Sequence, residues 1–361
     1  MEKTTIEQIL SQVTDPQTGL SITARKMIQN IDIEGNTINI SIAGNQLSAE
    51  VRTSLLESCT NLIQDRFPGT DVNLHFIQQN SRIQANEGTV PQIKNIIAVA
   101  SGKGGVGKSS VSVNLALALK SLGAKVGLID ADLYGPSIPT MLGLQGQRPK
   151  MKDVHGSPKL LPLEAYGMPV MSIGFIVEPE QAVVLRGPRL AGIIKQFFND
   201  VIWPELDYLI VDLPPGTGDI QLTLVQTVAL TGAILVTTPQ EVALVDAVKA
   251  MNMFMLPQIN VPIIGVVENM SWFIPDDAPD KKYPIFGEGG GKKLAIASDS
   301  ILLGQVPLMM AMRSGSDNGK PIVLNNESVM SEIFIEIAKK ASQAIQMRHE
   351  TLPGTEKVRV D

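Results

Sequence analysis

From residue 94 onward the chain is punctuated by short, continuous apolar runs: NIIAVAS, KVGLID, LDYLIVD, TGAILVTT, VPIIGVVEN and SILLGQVP. Each is short for a buried helix and lacks the strict alternation of a half-exposed strand, and stretches with helical periodicity separate them. Strands that are apolar on both faces belong in a parallel sheet covered by helices on both sides. The runs therefore predict an α/β domain over residues 94–347.

The residues ahead of it follow a different pattern. In TTIEQILSQV, Ile6, Ile9, Leu10 and Val13 fall at helical spacing; Ile28, Ile31 and Ile33, then Ile38, Ile40 and Ile42, alternate around Glu34-Gly35-Asn36 as a hairpin. Ser48 is placed to cap a helix running to about Phe67, and Val72, Leu74 and Phe76 alternate as a closing strand. Residues 1–78 thus read as a small αββαβ domain. Residues 79–93 are polar, aperiodic and contain Gly88 and Pro91, the composition of a linker, and residues 348–361 read as a loose C-terminal tail.

With 361 residues, 44% hydrophobic and 18% charged, the chain has a globular composition. Its net charge of -6 and pI near 5.3 argue against broad attraction to nucleic acid or an anionic membrane. No run approaches the roughly 20 apolar residues of a membrane span. MEKTTIEQIL is polar where a secretory signal is apolar, so the expected location is the cytoplasm. A single cysteine, Cys59, excludes an intrachain disulfide and any Cys-x-x-Cys metal site, and His75, His155 and His349 follow no ligand spacing.

SGKGGVGKSS, residues 101–110, directly follows the first apolar run and opens the helical run SSVSVNLALALKSLG. Gly102-x-x-x-x-Gly107-Lys108-Ser109 is the P-loop spacing: backbone amides cradle phosphate oxygens, the lysine reaches the terminal phosphate and the hydroxyl ligates magnesium. Two acidic segments end other apolar runs, where ligands gather in such sheets. Asp212 in LIVDLPPGTGD stands where a magnesium-holding carboxylate is needed. Asp130 and Asp132 in GLIDADLYGPS are candidates for the metal shell and for orienting water.

The P-loop box, with DADLYGPSIP, DYLIVDLPPGTGD, LRGP and VENMS followed by IFGEGGG, resembles the Mrp/ApbC branch of the MinD/ParA group of deviant Walker A P-loop NTPases, over nearly all of residues 94–345. The N-terminal unit resembles the domain often fused ahead of it. The resemblance implies a dimerisation-dependent ATPase that takes ATP and Mg²⁺ and carries iron–sulfur clusters to apo-protein clients. It implies a nucleotide site at Gly102, Lys103, Gly104, Gly105, Val106, Gly107, Lys108, Ser109, Ser110 and Asn269, with Asn269 reading the adenine edge. Lys103, Lys108 and Asp132 are implied as catalytic, Lys103 acting across a homodimer interface and Asp132 positioning water. Ser109, Asp130 and Asp212 are the implied magnesium residues.

The chain departs from the branch in one place. Cluster-carrying members typically place Cys-x-x-Cys between VENMS and IFG-x-GGG, whereas SWFIPDDAPDKKYPIFGEGGG contains no cysteine, and Asp276, Asp277 and Asp280 are hard oxygen ligands. Cys59 lies among Leu55, Leu62 and Ile63 on an apolar helix face, either as a buried thiol or as a cluster ligand. The rival reading is a nucleotide-gated regulatory or localising ATPase that acts on DNA or a protein partner and holds no cluster. Asp219 is a candidate γ-phosphate sensor or helix cap. Arg186 and Arg189 are candidates for a phosphate or carboxylate across a dimer. The stripe Val242, Val245, Val248, Met251 and Met255 reads as core-facing, with a Met-rich partner surface as the alternative.

Overall fold

The computed structural model describes residues 3–14, 21–23, 28–34, 37–43, 49–77, 90–132, 135–154, 156–177, 187–275, 277–278, 280–325, 327–355 and 357–358. Ser48, His155, Arg186, Asp276 and most of the linker lie outside the described residues. The chain divides into two compact units, Met1–Arg82 and Ile83–Asp361.

In the first unit, helix α1 (Lys3–Leu10) precedes strands β1 (Ile28–Glu34) and β2 (Thr37–Ala43), helix α2 (Ala49–Arg66) and strand β3 (Asp71–Ile77). Strands β1 and β2 pair antiparallel, with Ile31 opposite Ile40 and Ile33 opposite Ile38. Strand β3 joins parallel to β2 after the α2 crossover. The period-2 isoleucines Ile38, Ile40 and Ile42 are buried against Ile6 and Leu10 of α1 and the i, i+4 stripe Leu55, Cys59 and Ile63 of α2. Strand alternation and helical stripe thus meet in one small core.

The second unit is built on an eight-stranded sheet of order β13-β12-β11-β4-β10-β5-β9-β8. Its strands are β4 (Ile93–Ala100), β5 (Val126–Asp130), β8 (Leu163–Ala165), β9 (Met168–Ser172), β10 (Leu206–Asp212), β11 (Gly232–Thr237), β12 (Ile263–Phe273) and β13 (Ile301–Leu308). Every neighbouring pair is parallel except β8 and β9. Strands β6 (Met151–Val154) and β7 (Ser157–Leu160) form a separate antiparallel pair. Helices α3 (Lys108–Ser121), α4 (Ile138–Met141), α5 (Gly187–Asn199), α6 (Asp219–Thr227), α7 (Glu241–Met255), α8 (Gly290–Ala297), α9 (Met310–Asp317) and α10 (Val329–Thr351) complete the unit. Two apolar cores result. One packs β4, β10 and β11 residues against α5, α6 and α7, and the other packs residues of the same strands against α3 and α10. The apolar runs are apolar on both faces because each face meets a helical layer.

All six runs form strands; β6 to β9 were not legible in that pattern. Strand β9, MPVMS, is interrupted by Pro169 and has methionines in place of β-branched residues, which hides its β signature although most of it is buried.

Two expectations are corrected. The α7 stripe is not core-facing: Val242 and Val245 are 59% and 57% exposed and Met255 45%, with only Met251 fully inside. The face turned inward carries Ala243, Ala247 and Ala250 beside Leu244 and Phe254. Its small residues suit a helix lying against backbone: a Cβ on Gly102 would fall 2.0 Å from the Asp246 carbonyl carbon. Nor do the described residues after 347 form a loose tail. Helix α10 runs to Thr351, the guanidinium of the buried Arg348 donates to the Pro353 carbonyl, and Val358 is buried with its N–H donating to Val225 of α6 at 3.0 Å. A hydrogen-bonded cap and one apolar anchor hold this segment to the sheet unit.

Candidate nucleotide site

Strand β4 lies between β10 and β11, and the chain leaves it toward β5 on one side while β11 and β12 lie on the other. Such a switch point opens a crevice at the carboxyl ends of the strands. The loop of residues 101–107 fills its centre and runs straight into α3.

Glycine is required here by geometry. Gly107 has φ +80°, and a Cβ on it would fall 2.2 Å from the Asn269 side-chain nitrogen; Gly102 meets the backbone of α7 as described. Lys103, Gly104 and Gly105 form the exposed crest of the loop, and Val106 is buried beneath it. No side chain caps the first turn of α3, so an anion is the natural partner for its amides.

Behind the loop is a dense charged cluster. Lys108 is 5% exposed, and its ammonium lies 2.8 Å from Asp212 Oδ2 and 3.7 Å from Asp132 Oδ2. Asp212 is fully buried and accepts hydrogen bonds from Ser109 Oγ and Ser112 Oγ, each at 2.6 Å. Asp130 has hydrogen-bond partners of its own. It accepts from Ser172 Oγ at 2.9 Å and from the Asp132 amide at 3.1 Å. Complete burial, and then the neighbouring Asp212, push its carboxyl up to about 8. Ser110 is half-buried, and its carbonyl accepts from Asn114.

The predicted residues Gly102 to Ser110, Asp130, Asp132, Asp212 and Asn269 therefore surround one crevice. Asn269, within β12, donates from Nδ2 to the Val106 carbonyl at 2.8 Å and so braces the P-loop in this structure. Asp219 opens α6, and Arg189 is an exposed residue of α5. Cys59 belongs to the other unit, fully buried, its thiol pushed up to about 12 by that burial.

Sequence reasoning missed four supports. Ser112 is the second hydroxyl on Asp212, and Ser172 is the donor to Asp130. Gln221 stitches the PPGTG turn, accepting from Gly218 N–H and donating to the Pro214 and Gly216 carbonyls. Glu268 is fully buried and accepts from Gly291 N–H in the first turn of α8 at 2.6 Å and from Gln305 Nε2 of β13 at 2.7 Å. Ser112 and Glu268 were the more accessible from sequence: one lies a helical turn from Lys108, the other is a carboxylate inside an apolar strand.

The donor set fits a magnesium nucleotide. A hydroxyl and a carboxylate supply hard oxygens, and a lysine with an uncapped helix N-terminus suits phosphate. Fold and crevice together define a P-loop NTPase.

The family described as NUBPL iron-transfer P-loop NTPase matches residues 92–342, and the chain belongs to it. Residues 3–74 match the family described as iron-sulfur cluster assembly protein. The chain is 44% identical over 345 residues to the iron-sulfur cluster carrier protein of Synechocystis, covering 94% of this chain and 96% of that one. It is 47% identical over 281 residues to the protein of the same description from Escherichia coli K12, covering 78% and 74%. Among solved structures, a nucleotide-binding protein from Archaeoglobus fulgidus in complex with ADP superposes with TM-score 0.57 at 38% identity, over 67% of this chain and 93% of the other. The cell division ATPase MinD of Pyrococcus furiosus superposes with TM-score 0.51 at 23% identity, over 69% and 98%, a likeness of fold.

Proposed function

We propose that this chain is an Mg-ATP-hydrolysing carrier that moves iron–sulfur clusters to apo-protein clients, working as a homodimer in the cytoplasm. The near full-length match to cluster carriers supports the cargo. The Lys108–Asp212–Ser109 cluster behind a glycine loop supports the nucleotide chemistry. No helix among the described residues is long and apolar enough to cross a membrane. The reading as a regulator without a cluster is not favoured, because the match covers both units.

Each side chain has a distinct task. Lys108 exchanges its contact with Asp212 for the terminal phosphate, so the apo pair keeps a buried ammonium compensated until substrate arrives. Ser109 and Asp212 are the residues that would hold magnesium, which when bound neutralises phosphate charge. Asp132, 3.7 Å from the Lys108 ammonium, orients the attacking water. Asp130, the third expected magnesium residue, belongs to the same metal shell in this reading, with Ser172 holding its carboxyl at the end of β5. Lys103, exposed on the crest, reaches the nucleotide of a second subunit and makes turnover depend on dimerisation. Mixing Lys103→Ala with Asp132→Ala subunits tests this arrangement. Partial recovery of ATPase activity is expected, and no recovery at any ratio would exclude action in trans.

A further inference from the structure

A cluster cargo needs ligands, and iron–sulfur clusters are held chiefly by thiolate sulfur. The whole chain has one cysteine. Cys59 is packed in the core of the N-terminal unit with Leu55 and Ile63, fully buried. A thiol in that setting stays protonated and out of reach of iron. Two copies of the chain would bring two such thiols, both enclosed.

The histidine side chains among the described residues do not fill the gap. The His349 ring is engaged with Asn95 Oδ1 at 2.7 Å, and among the described residues no group of three or more His, Cys, Asp or Glu is arranged to hold a metal ion. The described residues between β12 and α8 are engaged in contacts of their own. Phe273 and Tyr283 exchange two backbone hydrogen bonds, at 2.8 and 3.0 Å, and the Lys282 ammonium sits 4.7 Å from the centre of the Trp272 ring. Asp277 and Asp280 there offer hard oxygen, which is poorly matched to a sulfide cluster.

We infer that the thiolates holding the cluster on this carrier come from outside the chain, supplied by a small thiol or by the cysteines of a protein that delivers or accepts the cluster. This inference rests on the carrier reading of the same protein. The chain then contributes the nucleotide-gated docking surface, while the sulfur ligands travel with the cargo. Exchange needs no thiolate to be surrendered by the carrier, and oxidation of the carrier's own cysteine would not disable it.

The test is anaerobic reconstitution of the full-length protein with ferrous iron and sulfide, with and without Mg-ATP, in three arms. One contains only a phosphine reductant, one adds glutathione, and one adds a synthetic Cys-x-x-Cys peptide. Iron and sulfide co-eluting with the chain, and visible charge-transfer absorption, are measured after gel filtration. Background iron is expected in the phosphine arm, and a co-eluting cluster in at least one thiol arm, unchanged in Cys59→Ser and in Cys59→Ala. The arm that succeeds identifies the source of sulfur. A cluster formed in the phosphine arm and lost in both Cys59 variants would overturn the inference while leaving the carrier reading intact. Background iron in every arm would overturn the inference and the carrier reading together.

Discussion

The two ends of the central sheet carry polar clusters of opposite construction. At the carboxyl end, the ammonium of Lys108 faces Asp212 and Asp132 with Asp130 close by, and Asp212 and Asp130 are completely buried. At the amino end, Asp207 takes Lys94 Nζ at 2.7 Å and the Lys125 amide at 2.8 Å, while Asn95 links the Asp207 carbonyl to the His349 ring. Lys94 is half exposed, so this ion pair is solvent-stabilised and its carboxylate charge is met by an ammonium. The carboxyl end has more negative than positive groups in a dry site, an arrangement that is costly on its own and that a cation–phosphate ligand would complete. The difference separates a clasp that fastens the C-terminal helix from a site that waits for substrate.

The largest effect is expected from Lys108→Ala, which removes the one ammonium of the carboxyl-end cluster. ATP turnover should fall by at least about a hundredfold, the scale of losing one preorganised transition-state contact. A steady-state rate within a few-fold of the parent would break the assignment. The second effect concerns titration. Asp130 has its folded pKa raised from 3.8 to about 8, so the folded state binds the proton more tightly than the unfolded chain does. Stability associated with it is complete below pH 3.8 and is lost as pH rises through about 8. In nucleotide-free protein, Asp130→Asn should flatten that decline, by on the order of a few kcal/mol. Urea midpoints measured across this window would show it, and parallel slopes for parent and variant would refute the neutral carboxyl.

A smaller effect separates two roles for Asn269. Its side chain braces the Val106 carbonyl from a buried position, so Asn269→Ala should weaken nucleotide binding through the loop, at a cost of about 1–3 kcal/mol for the orphaned group. A brace on the phosphate loop weakens ATP and GTP alike, whereas a reader of the adenine edge weakens ATP selectively. Calorimetric titration with both nucleotides distinguishes them.

Much of this architecture was legible in sequence because buried parallel strands and the P-loop leave dense, local signals. Six apolar runs became six strands, and the residues from Gly102 to Ser110 form one loop and helix start. What was not legible depended on side-chain direction. The apolar spacing of Val242, Val245 and Met255 marks a face of α7, but only its close approach to Gly102 determines that alanines turn inward. Asp130 and Asp132 look equivalent in GLIDAD; Ser172, far along the chain, separates their environments. The C-terminal residues are polar enough to suggest a tail, and only the tertiary contacts of Arg348 and Val358 fix them.

The smallest expected effect tests the clasp at the amino end, and its sign is opposite to that of Asp130. Because Asn95 Nδ2 donates to Asp207, its Oδ1 is an acceptor, so His349 presents Nε2–H to it and leaves the Nδ1 lone pair toward the Arg348 guanidinium 3.5 Å away. Partial burial, and then the charge of Arg348, lower the His349 pKa from 6.5. The unfolded chain therefore takes up the proton first. The stabilising contribution is complete above pH 6.5 and is lost as pH falls through the folded value. The ring keeps much of its surface in water, which limits the size of the effect. His349→Asn should remove a shallow loss of stability on the acidic side without changing the decline through about pH 8 that Asp130 controls. If instead the histidine variant altered the alkaline slope, the two ends of the sheet would be energetically coupled, and the clasp would belong to the nucleotide machinery.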